Sequence, residues 1–142
     1  MTNTTFIDPE ILAAYRETEY RVMGDQPFVL RVGRHCPQLL GAHRQYAVSS
    51  SAFITACNPL SQALSEADNA ERQDRLAAEL RARNLVFHPG IGQHPSNCWP
   101  GESSFLIFGL SSEAAKALGN KFDQNAIVWA GEDGVPKLIL LR

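Results

Sequence analysis

The 142-residue sequence is short of several things. It holds three cysteines, Cys36, Cys57 and Cys98, an odd set with no CxxC spacing. That excludes the dense, even cysteine framework of a small secreted disulfide scaffold and predicts reduced thiols in a cytoplasm. No apolar run approaches the roughly 18 residues that cross a bilayer. The opening MTNTTFIDPE has neither a basic segment nor an apolar one behind it, so export and membrane insertion are not expected. A charge surplus is missing too, since 13 Lys and Arg stand against 15 Asp and Glu and leave a net charge of -2. No overall positive field gathers phosphate backbones, and nucleic acid is not an expected partner. Internal repeats, homopolymers and blocks of like charge are also wanting, which removes any sign of a linker.

What is present is an ordinary globular balance, 44% apolar and 20% charged residues, enough for one domain spanning 1–142 with a single core. Asp8 before Pro9 reads as an N-cap with proline at the first helical position, and Ile11, Leu12 and Tyr15 supply the apolar stripe of a first helix, from about Pro9 to Thr18. Tyr20 to Met23 and Phe28 to Val32 predict a hairpin across Gly24, Asp25, Gln26 and Pro27. Pro37 opens a short helix through His43. Ala52 to Cys57 is almost continuously apolar and suits a central strand covered on both faces, ended by Asn58-Pro59. Ser65 begins the clearest helix, running to about Asn84, with Asp68–Arg72, Glu71–Arg75 and Glu79–Arg83 as i,i+4 pairs. Leu85 to His88 predicts a strand, followed by a long loop rich in Pro and Gly and a strong strand from Ser104 to Leu110. Ser111 or Ser112 caps a further helix, and Asp133-Gly134 turns Ala126–Ala130 back into Lys137–Leu141.

From Ala52 the order strand, helix, strand, strand, helix, strand is the ferredoxin-like split βαβ pattern. The predicted fold is therefore an α+β ferredoxin-like sandwich over 52–142 with an added C-terminal strand, extended at 1–51 by the N-terminal helix and hairpin. That topology brings Asn58, His88 to Gly92, Glu102 with Ser103, and Gln124 with Asn125 to one edge of the sheet. The long helix starts there as well, adding Asn69, Arg72 and a helix N-terminus able to hold an anion. Polar residues converging from separate elements are what a ligand pocket requires.

The strings Tyr15-Arg16-Glu17-Thr18-Glu19-Tyr20, Ile54-Thr55-Ala56-Cys57-Asn58-Pro59, Trp99-Pro100-Gly101-Glu102-Ser103-Ser104 and Asp123-Gln124-Asn125-Ala126-Ile127-Val128-Trp129, in this order, resemble the bacterial domain-of-unknown-function family numbered 3293. The likeness spans most of the chain. It implies a bacterial, cytosolic, single-domain protein and carries over no reaction and no catalytic residues. The stretch Gln93 to Cys98 departs from the acidic or glycine-rich loop the resemblance leads one to expect, so it lends no role to His94 or Cys98.

Each residue of the edge has two readings. Glu102 is a general acid/base or ligand anchor, or else it satisfies loop amides or pairs with Arg72. Arg72 clamps an anion with its planar fork, or closes the i,i+4 pair with Asp68. Asn58, Gln124 and Asn125 recognise a ligand's polar edge, or tie loops together. Trp99 stacks on a ligand or covers the pocket, whereas Trp129 on a strand reads as core. His88, His94, Cys98 and Glu102 match no zinc spacing, and Gly90, Gly92 and Gly101 form no phosphate-loop fingerprint. Cys57 reads as a small buried hydrophobe, leaving Cys98 as the thiol that could react.

The leading expectation is a cytosolic domain, monomer or homodimer, that binds a small polar or anionic ligand or a peptide at this edge through Asn58, Arg72, Trp99, Glu102, Gln124 and Asn125. No metal is expected and no cofactor is specified. Two alternatives stand beside it: an enzyme with Glu102 as acid/base and Arg72 as anion clamp, and a protein-interaction module that uses an open strand edge.

Overall fold

The structure, a computed structural model, describes residues 7–96 and 101–142. Asn97, Cys98, Trp99 and Pro100 lie outside the described residues, and with them the expected roles of Trp99 and of the Cys98 thiol. Within those described, the chain runs α1 (Pro9–Glu17), β1 (Glu19–Val22), β2 (Phe28–Leu30), α2 (Pro37–Gln45), β3 (Ser51–Ile54), a 3-10 turn at Pro59–Ser61, α3 (Glu66–Ala82), β4 (Phe87–Gln93), β5 (Glu102–Phe108), α4 (Ser112–Lys121), β6 (Ala126–Ala130) and β7 (Lys137–Leu140). The strands form one sheet of mixed α+β architecture in the order β2-β1-β4-β5-β3-β6-β7, with every neighbouring pair antiparallel.

The helix starts follow their caps. The Asp8 carboxylate accepts from Glu10 N–H at 2.8 Å with Pro9 at the first position, Ser65 Oγ accepts from Asp68 N–H, and Ser111 Oγ from Ala114 N–H. The sheet's two faces bury different sets because side chains alternate along each strand. Ala52 and Ile54 of β3, with Ile107 and Ile127, pack under α3 and α4 through Leu76, Leu80, Ala115 and Leu118. On the opposite face Phe53, Leu106, Phe108 and Val128 pack with Tyr20, Val22 and Leu30 of the N-terminal hairpin and with Leu39 of α2. All four residues of β3 are buried, as a strand flanked by β5 and β6 and covered on both faces should be.

Two polar pairs hold α2 to the sheet. His43 Nε2 lies 2.8 Å from Ser51 Oγ, and Tyr46 Oη lies 2.7 Å from His88 Nε2. His88 was expected near the ligand edge. It stands instead at the other end of β4, opposite Leu106.

β4 corrects the sequence reading most. It extends through Pro89, Gly90, Ile91, Gly92 and Gln93, where the turn-forming residues predict a loop. Pro89 is tolerated because the β1 ladder ends there: Met23 N–H donates to Pro89 O at 2.9 Å and no reciprocal donor is needed. Gly90 is required by a close approach. A Cβ at that position would lie 2.7 Å from both Arg21 O and Phe53 Cε2.

Candidate functional site

α2 covers only part of the hairpin-side face. Over the rest lies α1, and between α1 and the sheet is a cavity of about 620 Å³. Its floor follows from register. Tyr20, Gly92 and Glu102 stand side by side across β1, β4 and β5, and the missing side chain at Gly92 leaves room between the other two. Phe53, Thr55 and Val128 continue the floor, and Ile11, Ala14 and Tyr15 of α1 form the roof.

The roof is held by hydroxyls. Tyr20 Oη donates to Tyr15 O at 2.5 Å, and Tyr15 Oη lies 2.5 Å from Ser61 Oγ, which also accepts from Asn125 Nδ2 at 2.9 Å. α1 itself has no fully buried residue. Asn58 and Ser61, which line the cavity, and the exposed Leu60 between them all have left-handed backbone, with φ of 47°, 60° and 54°. Leucine and serine adopt this region at a cost of order 1 kcal/mol or more, asparagine more readily, and such residues gather at functional sites.

Glu102 sits at the first position of β5 and lines the cavity. Asn58 Nδ2 donates to its Oε2 at 2.9 Å, and its Oε1 accepts no hydrogen bond from the described residues. Burial pushes this carboxyl above its ordinary value, opposed only by the Asn58 hydrogen bond. The linkage has a definite sign. Because the folded state holds the proton more tightly than the unfolded chain, stability falls as pH rises from about 4.5, the ordinary value, through the raised one. Glu102→Gln keeps an acceptor for Asn58 and removes the charge. Urea unfolding followed by circular dichroism from pH 4 to 8 is expected to show the variant gaining on the wild type as pH rises. A variant less stable than the wild type at pH 7 would make Glu102 a structural carboxylate.

The other expected site residues separate. Asn58, Gln124 and Glu102 all line the cavity, so three elements do converge as the topology predicts. Their amides are engaged in holding the rim together: Asn58 Oδ1 accepts from Leu64 N–H and Asn69 Nδ2, and Gln124 Nε2 donates to Cys57 O and Phe122 O. Asn125 braces Ser61 from outside the lining. Arg72 also stands outside it. Its Nε donates to Ala56 O and its Nη2 to Phe122 O, each at 2.6 Å, so the guanidinium meets neither Asp68 nor Glu102. The expected pairs Glu71–Arg75 and Glu79–Arg83 do form, at 3.0 and 2.8 Å.

Sequence reasoning missed the roof and much of the floor: Tyr15, Tyr20, Phe53, Thr55 and Ser61. The two tyrosines lie in one of the strings quoted above, and the alternation of Phe53 and Thr55 against Ala52 and Ile54 marks a second face, so a signal existed. Cys57 is buried, and burial pushes its thiol up, which suits a packing role. Among the described residues no group of three or more His, Cys, Asp or Glu could hold a metal ion, and no helix is long and apolar enough to cross a membrane.

No curated protein and no solved structure matches this chain. A family model described as "Protein of unknown function (DUF3293)" matches residues 54–127, just over half of the chain and the part that holds Asn58, Glu102 and Gln124. The chain belongs to the DUF3293 family.

Proposed function

We propose that this protein binds a small molecule in the cavity between α1 and the sheet, with Glu102 as the anchor. One observation carries the reading. A half-buried carboxylate, with one oxygen fixed by Asn58 and the other without a hydrogen bond from the described residues, lines a cleft of about 620 Å³, within the size range of small-ligand pockets. A helix lying over the cleft favours a small molecule over an extended peptide. The interaction-module alternative loses support, because Glu102 and Arg72 are not locked together and the edge strands β2 and β7 are short.

A thermal-shift screen of metabolites and nucleotides tests this. A true ligand at a hundred times its Kd stabilises by about 2.7 kcal/mol. The shift is expected to vanish in Glu102→Gln and in Ala126→Trp, which fills the cavity. Shifts indifferent to both variants would sink the proposal.

A second reading has one observation in its favour: a carboxyl raised by burial inside a cleft suits a general acid/base, so Glu102 could act on what it holds. Its anion clamp lacks support, since Arg72 is engaged with main-chain carbonyls. We also read the unit β3-α3-β4-β5-α4-β6 as a ferredoxin-like core within a single domain. The strand order β4-β5-β3-β6 and the packing of α3 and α4 on one face support that. Two buried free cysteines among those described support the cytoplasm, and the acidic cavity is a poor fit for nucleic acid.

A further inference from the structure

Resting on the cavity reading above, we propose that the ligand is an organic cation, an amine protonated at neutral pH, whose ammonium is held by Oε1 of Glu102, the oxygen that accepts no hydrogen bond from the described residues. The charges around the cavity are the first argument. Asp8, Glu10 and Glu102 line it, and among the described residues no Lys or Arg does. His94, the other lining group able to carry positive charge, faces the Glu17 carboxylate at 2.7 Å. An anion would therefore meet three carboxylates and, as its one cationic neighbour among the described lining residues, an imidazole already engaged by Glu17.

The second argument is the state of Glu102. A buried carboxylate is costly unless a cation or several donors meet it. Glu102 receives a single amide hydrogen bond and no ion pair among the described residues. Arg72, the guanidinium that sequence placed beside it, is turned to Ala56 O and Phe122 O. The fold thus keeps its own cations away from a carboxylate that needs one, and a ligand can supply it.

The walls define the rest of the molecule. Ile11, Ala14, Phe53, Val128 and Leu138 accept an apolar body, and the rings of Tyr15, Tyr20 and Phe53 add attraction for a cation through their quadrupoles. A space of about 620 Å³ suits an organic amine rather than a bare metal ion.

The test uses the full chain at pH 7 and matched compounds built on phenylethyl, indolylethyl and hexyl bodies, each as ammonium, alcohol and carboxylate. Thermal shift and isothermal titration are the readouts. The ammonium members are expected to bind at least about tenfold more tightly than their alcohols, with the carboxylates weakest, and Glu102→Gln is expected to erase that order. Amine affinity should also tighten as pH rises through the titration of Glu102, and stay flat in Glu102→Gln. If alcohols or carboxylates bind as well as amines, and Ala126→Trp blocks them, the cation inference falls while the cavity reading stands. If no member of any class binds, both fall.

Discussion

Arg72→Met is expected to lower the unfolding free energy by about 3 kcal/mol, the largest effect of any single polar side chain considered above. The guanidinium joins two main-chain carbonyls from distant parts of the chain, Ala56 O just beyond β3 and Phe122 O at the end of α4. Hydrogen bonds from a charged donor contribute about 1.5–3 kcal/mol each, and the lower end applies to a side chain that is only partly buried. Methionine retains most of the apolar stem, leaves Ala56 O without its donor and leaves Phe122 O with the Gln124 amide alone. Arg72→Lys should recover only part of the loss, since an ammonium lacks the planar fork that reaches two acceptors at once. Equilibrium urea unfolding measures both variants. A loss below about 1 kcal/mol, joined to weaker ligand binding, would return Arg72 to the role of anion clamp that its sequence position suggests.

Gly90→Ala is expected to cost about 2–3 kcal/mol, toward the upper end for one added methyl in a packed interior. The new Cβ meets a ring at 2.7 Å and a main-chain oxygen at 2.7 Å, and the oxygen belongs to a strand paired in register with β4. Phe53 can shift, but Arg21 O cannot move without opening the β1–β4 ladder. Adding Phe53→Leu should therefore rescue only part of the loss. Gly92→Ala is the control. Its nearest contact is 3.7 Å, to Thr18 Cγ2, and it should unfold within about 0.5 kcal/mol of the wild type in the same urea titration. Equal losses for the two glycines would mean that the cost lies in general strand propensity rather than in the crossing of Phe53.

Those two residues also mark where reading the sequence succeeded and where it could not. Caps at Asp8, Ser65 and Ser111 and the Asp133-Gly134 turn are local signals, and the elements they bound formed where expected. β4 was hidden because Pro89, Gly90 and Gly92 carry turn signals, and what overrides them is a ring from β3 and a ladder from β1, both remote in sequence. The convergence of Asn58, Glu102 and Gln124 was legible because topology alone dictates which strand ends meet. The role of Arg72 was not. Asp68 four residues earlier suggests a solvent-side pair, and nothing local says that two carbonyls elsewhere await a donor. The roof was invisible for the same reason, since Tyr15 reaches Ser61 across a separation that only the packed chain closes.

The lack of any fully buried residue in α1 has a thermodynamic consequence. Lifting the helix off the sheet uncovers its half-buried Ile11, Ala14 and Tyr15 and the floor residues Tyr20, Phe53 and Val128, so the opened form gains heat capacity yet still sits below global unfolding on the ladder of partial unfolding. The helix is tethered by two tyrosine hydroxyls and by the Glu17 contact with His94, so its opening is a local event that leaves the ladders of the seven described strands in register.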